Sequence, residues 1–320
     1  MSRVLITGGS GFVGQAVTRA FANDGWTVRS TSRSKLSRLP LSDERVAIGN
    51  IGRDTDWGAA IEDVDCIVHL AARVHVLQDS ALDPLAEFRS VNVEGTHRLA
   101  SIAAQCGVKR FVFMSSIGVN GNRTEDRPFS EMDEPHPRDA YSRSKWEAEL
   151  VLSDVARQTG MEVVIIRPPL VYGPGAPGNF ARLIKWIASG WPLPLGSVDN
   201  RRSFIYVNNL TDVVVNCAKH PGATGQVFLV SDGEDLSITE LITRLASKLG
   251  MSARLYHFPS AILKLVGSMT GFRAEIDRLT QSLIVDIGKV RQLLGWRPPL
   301  SVDEGLAQTA DWFIGEYRKR

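Results

Sequence analysis

The sequence predicts an α/β fold: a doubly wound parallel sheet with a smaller C-terminal lobe. Three observations predict it. Short apolar runs alternate with longer amphipathic stretches through the first half of the chain, which is the order that strands and crossover helices require. Gly8, Gly11 and Gly14 follow the first apolar run and open the first amphipathic stretch, a strand–turn–helix junction. After Arg167 the texture shifts to Pro168, Pro169, Pro174, Pro177, Pro192 and Pro194 interleaved with glycines, and the regular alternation ends there.

Taken in order, strands are expected at Arg3–Thr7, Thr27–Thr31, Val46–Gly49, Cys66–Leu70, Arg110–Ser115 and Glu162–Arg167, each a short apolar run. Helices are expected at Val13–Asp24, Trp57–Ile61, Leu85–Cys106 and Ala140–Gln158. Right-handed crossovers between parallel strands bring the strands' C-terminal ends, with the glycine turn, to one crevice. In the second half, helix Phe180–Ser189, strand Ser203–Val207, helix Leu210–Lys219, strand Gln226–Val230 and helix Ile238–Leu249 follow in turn. Residues 259–279 are apolar with helical spacing, and Val302–Tyr317 reads as a closing helix. Trp186, Trp191 and Trp296 are read as packing residues of the smaller lobe.

Composition narrows the classes. A chain of 320 residues, 43% hydrophobic and 22% charged, can bury a substantial core. A net charge of +2 is too balanced to imply nucleic acid or an anionic membrane as partner. Cys66, Cys106 and Cys217 form neither a disulfide framework nor a metal spacing, which points to a reducing cytoplasm. His69 and His75 lack metal-ligand partners at suitable spacing, so no metal is expected. Val4-Leu5-Ile6 runs straight into glycines as a strand rather than a signal peptide, and no apolar stretch is long enough to span a bilayer.

The chemistry begins at the turn Thr7-Gly8-Gly9-Ser10-Gly11-Phe12-Val13-Gly14. Glycine allows positive backbone angles and close approach of a pyrophosphate, while the helix start offers unpaired N–H groups to phosphate. Residues 1–168 are therefore read as a dinucleotide-binding domain, with 203–230 returning to it, and 169–202 with 231–320 as the main substrate-binding lobe. At the end of the second strand, Val28-Arg29-Ser30-Thr31-Ser32-Arg33 carries no acid to bond the ribose hydroxyls of NAD. A hydroxyl at Ser32 followed by Arg33 suits a 2′-phosphate, so NADP(H) is expected over NAD(H).

Tyr141 and Lys145 stand four residues apart and share one helix face. A free phenol, with a pKa near ~10, is a poor base at neutral pH. A neighbouring ammonium and a cationic nicotinamide are expected to draw it down. Ser116, at a strand end, is placed to bond a substrate oxygen while Tyr141 moves its proton.

Thr7–Gly14, His69-Leu70-Ala71-Ala72, Asn92-Val93-Glu94-Gly95-Thr96, Ser115–Gly121, Tyr141–Lys145, Arg167–Gly175, Arg202–Val207 and Leu294-Gly295-Trp296 together span nearly the whole chain. On these motifs it resembles an extended short-chain dehydrogenase/reductase of the NAD(P)-dependent nucleotide-sugar epimerase/dehydratase family, with a Rossmann-like sheet. The resemblance implies that Ser116, Tyr141 and Lys145 form a catalytic triad. It implies that Phe12, Val13, Leu70, Ala71, Ala72 and Pro168 line the cofactor. Asn50 and Ile51 would occupy the site where an acid usually meets the adenine. Asn179, Arg202 and Arg278 would hold a sugar-nucleotide diphosphate, a role suited to arginine's planar fork.

The departures from the family pattern are informative. Its 4,6-dehydratases carry an Asp-Glu pair directly after the catalytic hydroxyl residue, where this chain has Ile117 and Gly118. Dehydration is therefore not expected. Asn120 replaces the usual tyrosine of V-Y-G. The leading expectation is an NAD(P)-dependent reductase of the C4 keto group of a nucleotide sugar, a UDP-linked N-acetylated deoxyhexosamine. The alternative is a 4-epimerase of the UDP-glucose or UDP-N-acetylglucosamine type, which uses the same serine, tyrosine and lysine. From a different class comes a non-catalytic dinucleotide-binding sensor, against which the intact triad argues. A homodimer pairing the helices at 85–106 and 140–158 suits this architecture.

Overall fold

The computed structural model describes residues 2–34, 42–74, 83–259 and 273–317. In chain order the strands are β1 (Arg3–Thr7), β2 (Thr27–Ser32), β3 (Glu44–Ala47), β4 (Cys66–His69), β5 (Arg110–Met114), β6 (Glu162–Arg167), β7 (Leu170–Tyr172), β8 (Arg202–Tyr206), β9 (Val227–Leu229) and β10 (Asp235–Leu236). The helices are α1 (Phe12–Asn23), α2 (Gly58–Ile61), α3 (Pro84–Arg89), α4 (Gly95–Gln105), α5 (Ala140–Thr159), α6 (Gly178–Ala188), α7 (Val207–Lys219), α8 (Ile238–Lys248), α9 (Arg273–Thr280), α10 (Gly288–Leu294) and α11 (Val302–Tyr317).

Seven strands form one sheet in the order β3-β2-β1-β4-β5-β6-β9, and every neighbouring pair is parallel. Alternate residues of each strand supply its two faces. Val4 and Ile6 of β1 pack with Val17 and Phe21 of α1 and Leu210 and Val214 of α7. Leu5, Ile67, Phe111 and Phe113 face the other way, onto Leu99 of α4 and Leu152 of α5. Both faces are thus covered, as an all-parallel sheet requires. A second, three-stranded sheet runs β10-β8-β7, with β7–β8 parallel and β8–β10 antiparallel. It shares a separate core with α6, α8 and α11, built on Phe180, Ile184, Phe204, Leu241, Leu245 and Leu306.

Several boundaries differ from expectation. The third strand is Glu44–Ala47 rather than Val46–Gly49, because Glu44 pairs in register with Arg29 and receives its Nε at 2.5 Å. The single helix expected at Leu85–Cys106 is broken by a π-helical segment, Ser90–Glu94. At this widened turn buried Asn92 donates to Arg73 O (3.0 Å) and Ser144 Oγ (2.9 Å) and accepts from Arg73 N (2.8 Å). Gly95 follows because an added Cβ would stand 2.4 Å from Ile51 Cγ2. β7, β10 and α10 appear where no element was expected. Of the apolar stretch at 259–279, residues 273–279 fall within helix Arg273–Thr280, and 260–272, like His75 and residues 318–320, lie outside the described residues.

The tryptophans also depart from expectation. Trp296 is buried in the core of the large sheet and donates to Asp212 Oδ2 at 2.7 Å. Trp186 and Trp191 are exposed, at 59% and 73%.

Candidate active site

The crevice is assembled at the C-terminal ends of β1–β6, where the parallel order brings the expected cofactor residues together. Gly8, Gly11 and Gly14 form the turn after β1. Gly8 has φ +72°, and a Cβ there would sit 2.9 Å from Ala71 N. At Gly14 a Cβ would sit 2.1 Å from Gly8 O, so side chains are barred where the first helix crosses its own turn. Gly11 N donates to Gly8 O (3.0 Å), and Gly11 caps α1 without any side chain over the helix start. Phe12 and Val13 are the first residues of that helix. Bare N–H groups and a positive helix end fit a pyrophosphate, so the turn passes the test for a dinucleotide.

The floor beside the turn is held by His69. Leu70 N and Ala71 N both donate to Thr7 Oγ1, each at 3.1 Å, which fills that oxygen's two acceptor positions. The Thr7 hydroxyl proton therefore goes to His69 Nδ1 at 2.7 Å, and His69 Nε2–H donates to Thr96 Oγ1 at 3.0 Å. The imidazole is neutral: burial, assisted by the Lys145 ammonium, pushes its pKa down to about 3. Its two nitrogens tie β1, β4 and α4 together, and through Thr7 they set the backbone of Leu70 and Ala71. Among the described residues no cluster of His, Cys, Asp and Glu is arranged to hold a metal.

The other expected cofactor positions lie along the same edge. Ser32 ends β2 and its hydroxyl donates to Ser34 O at 2.8 Å, while Arg33 is exposed. Asn50 and Ile51 follow β3, with Asn50 O accepting from Thr55 Oγ1 at 3.1 Å and Ile51 against Gly95. Pro168 follows β6 and accepts from Ile117 N at 3.0 Å.

α5 supplies the proton-transfer face. Asp139 caps it, accepting from Ser142 N at 2.7 Å, and Gly160 ends it in the left-handed region. The Tyr141 ring is half-buried and stands edge-on to Phe88 at 6.2 Å. Lys145 is buried one turn later, where Nζ donates to Met114 O at 2.9 Å and lies 4.5 Å from the centre of the Phe113 ring. Ser116 caps the short 3₁₀ turn Ile117–Val119, its Oγ accepting from Gly118 N at 3.1 Å.

The phenol was expected to be drawn down by the ammonium and a cationic nicotinamide together; the protein's own groups act in the other direction. The Tyr141 phenol is not lowered here; burial, then the Asp139 carboxylate, push its pKa above the ordinary value. Burial pushes Lys145 down to about 7, against the opposing pull of Glu149. The Lys145 ammonium donates one of its three N–H bonds to Met114 O.

The positions of the missing dehydratase acids are occupied structurally. Ile117 is buried against Leu229, Leu283 and Val285. A Cβ at Gly118 would lie 2.3 Å from Ser142 Oγ. A side chain at Gly118 would require the Ser142 hydroxyl to turn aside, and a carboxylate in place of Ile117 would leave this apolar cluster.

The expected substrate residues are more dispersed. Asn179 opens α6, exposed, with its Oδ1 accepting from Arg182 on the same helix. Arg202 begins β8 and donates to Gln281 O at 2.9 Å, just past the end of α9. Arg278 lies on α9, and its side chain is outside the described residues. An apolar cavity of about 600 Å³ opens between α6 and α11, lined by Phe180, Ile184, Trp312 and Phe313. It contains none of Ser116, Tyr141 and Lys145.

Two buried groups were not singled out as site residues. Glu149 Oε1 accepts from Ser115 Oγ (2.5 Å) and Arg167 Nε (2.9 Å), and its Oε2 accepts from Arg167 Nη2 (2.5 Å). Arg167 Nη1 continues to Asn120 Oδ1 at 2.8 Å, and Asn120 Nδ2 donates to Ser130 O at 2.9 Å. The repeat 141, 145, 149 on one helix face was the available signal for Glu149.

A model of the "NAD dependent epimerase/dehydratase family" matches residues 4–231. The chain is 42% identical to a UDP-glucose 4-epimerase of Vibrio cholerae, over 97% of its own length and 95% of the relative's. It is 27% identical to an N-acetyl-alpha-D-glucosaminyl-diphospho-ditrans,octacis-undecaprenol 4-epimerase of Escherichia coli, over 97% and 94% of the two lengths. The solved structure of a UDP-glucose 4-epimerase with UDP-glucose from Thermotoga maritima has the same fold, with a TM-score of 0.77 at 22% identity, covering 98% of this chain and 99% of that one. With an all-parallel seven-stranded sheet, a glycine turn after its first strand, the family match and the 42% identical relative, this chain belongs to the NAD dependent epimerase/dehydratase family, within the extended short-chain dehydrogenases/reductases.

Proposed function

We propose that this protein is a nucleotide-sugar 4-epimerase acting on a UDP-linked hexose. The observation that carries the proposal is the 42% identity to a UDP-glucose 4-epimerase along essentially the full chain, in a chain that keeps Ser116, Tyr141 and Lys145. These relatives favour the epimerase over the 4-keto reductase, which the absent dehydratase acids and the cofactor site at Ser32 and Arg33 together suggested. Ile117 and Gly118, standing in place of the acid pair, support excluding dehydration.

When bound, the nicotinamide accepts and returns the hydride at sugar C4. The Gly8–Gly14 turn and the start of α1 would hold its pyrophosphate, with Leu70, Ala71, Ala72 and Pro168 along the floor and Asn50 and Ile51 toward the adenine. Ser116 Oγ would bond the C4 oxygen and Tyr141 would take its proton, then give it back. Lys145 would favour the phenolate once the cationic ring lies nearby, offsetting the burial that raises the phenol. Asn179, Arg202 and Arg278 would grip the diphosphate. A homodimer paired through α4 and α5 and a cytoplasmic setting belong to the same proposal; among the described residues no helix is long and apolar enough to cross a membrane.

The cofactor is proposed to be NAD(H), retained through the cycle. The preference for NADP(H) read from Ser32 and Arg33 draws no support from the family match, and the Ser32 hydroxyl already donates to Ser34 O. Mass spectrometry of the nucleotide released from purified protein is expected to give NAD, and NADP as the main species would restore the earlier preference. Interconversion of UDP-glucose and UDP-galactose without net change in nicotinamide absorbance tests the function. Stoichiometric loss of NAD(P)H on a 4-keto sugar, with no interconversion, would favour the reductase.

A further inference from the structure

Glu149 stands one helical turn beyond Lys145 and two beyond Tyr141, so three chemically active side chains share one face of α5. Glu149 and Arg167 are each 3% exposed. The guanidinium also lies 5.8 Å from the Trp146 ring. A buried ion pair is weak as a device for stability, because desolvating both ions offsets their attraction. Its position suggests another use. The segment Met114–Ser116 is gripped from α5 at two points, its Met114 carbonyl by Lys145 and its Ser115 hydroxyl by Glu149. Arg167 holds that carboxylate through two parallel bonds, which fixes its orientation.

We infer that Glu149, oriented by Arg167, is a positioning residue: it anchors Ser115 to α5 and thereby aims the adjoining Ser116 hydroxyl. The inference deepens the epimerase reading and rests on it for its kinetic test. The same carboxylate acts on Lys145. The titratable and charged groups around that ammonium are Tyr141 and Glu149 from α5, neutral His69 from β4, and Arg167 from β6 behind Glu149. Glu149 opposes the burial that lowers Lys145, so it holds the lysine protonated to higher pH. Asn120, in place of the family's usual tyrosine, extends the network to Ser130 in the loop after the 3₁₀ turn.

Three variants test this, with kcat, KM and the pH profile as readouts. Ser115→Ala removes one anchor and no charge; it is expected to lower kcat about tenfold with little change in KM, the equivalent of one hydrogen bond. Glu149→Gln is expected to lower kcat further and to move the alkaline limb of kcat/KM down by about one pH unit, whereas Ser115→Ala leaves that limb in place. If Glu149→Gln fails to fold with Arg167 unpaired, the double variant Glu149→Gln, Arg167→Met removes both charges. It is expected to regain the melting temperature but neither the rate nor the limb. Wild-type kcat in Ser115→Ala and Glu149→Gln, or full recovery of rate and limb in the double variant, would overturn the inference. Wild-type protein without epimerase activity would count against the function instead. In that case NMR of the Lys145 side chain decides: its titration midpoint should fall in Glu149→Gln, and an unmoved midpoint refutes the electrostatic role.

Discussion

Replacing Tyr141 by phenylalanine is expected to lower kcat about 10²–10⁴-fold, the usual contribution of a positioned proton-transfer group. The substitution deletes one oxygen and leaves the ring against Phe88, so melting temperature and bound nucleotide should stay close to wild type. The loss should fall on kcat rather than KM, because the proton moves only in the chemical step. Stopped-flow and steady-state assays on protein of matched cofactor content measure it. Unchanged turnover in Tyr141→Phe would remove the phenol from the mechanism and revive the sensor reading.

The second large effect is expected at Gly14. A methyl group there meets Gly8 O at 2.1 Å and Gly9 Cα at 2.8 Å, both backbone atoms of the phosphate turn. Neither can rotate away, so Gly14→Ala must push α1 off the turn. Overpacking of this kind costs about 1–3 kcal/mol. The displaced N–H groups also lose their aim at the pyrophosphate, so the variant should purify without nucleotide and without activity. Gly315→Ala is the control: it lies in α11 with open space around it and should be neutral or slightly stabilising. Thermal melting and the ratio of absorbance at 260 and 280 nm read both variants. Full cofactor occupancy in Gly14→Ala would contradict the cradle described above.

How much of this was legible in the sequence depended on how local the cause was. The β1–turn–α1 junction and the Tyr141–Lys145 face could be read directly, because periodicity, glycine spacing and a four-residue repeat are local signals. The break in the helix at Ser90–Glu94 could not, since the hydrophobic pattern runs through it and the reason is Asn92 reaching Arg73 and Ser144. β7 and β10 span three and two residues, too short for any period to register. Arg167 meets Glu149 and Asn120 only after β5, β6 and α5 have packed. The raised phenol at Tyr141 was hidden for a similar reason: spacing brings Lys145 alongside, but the burial of the phenol and its exposure to the Asp139 charge arise only in the folded chain.

The most direct test uses UDP-glucose deuterated at C4. A 4-epimerase that keeps its nucleotide bound returns the same hydrogen to the same carbon, so the UDP-galactose formed should retain the label at C4 with no net oxidation or reduction in solution. Product whose C4 hydrogen comes from added NAD(P)H or from solvent would contradict a hydride held and returned within one crevice.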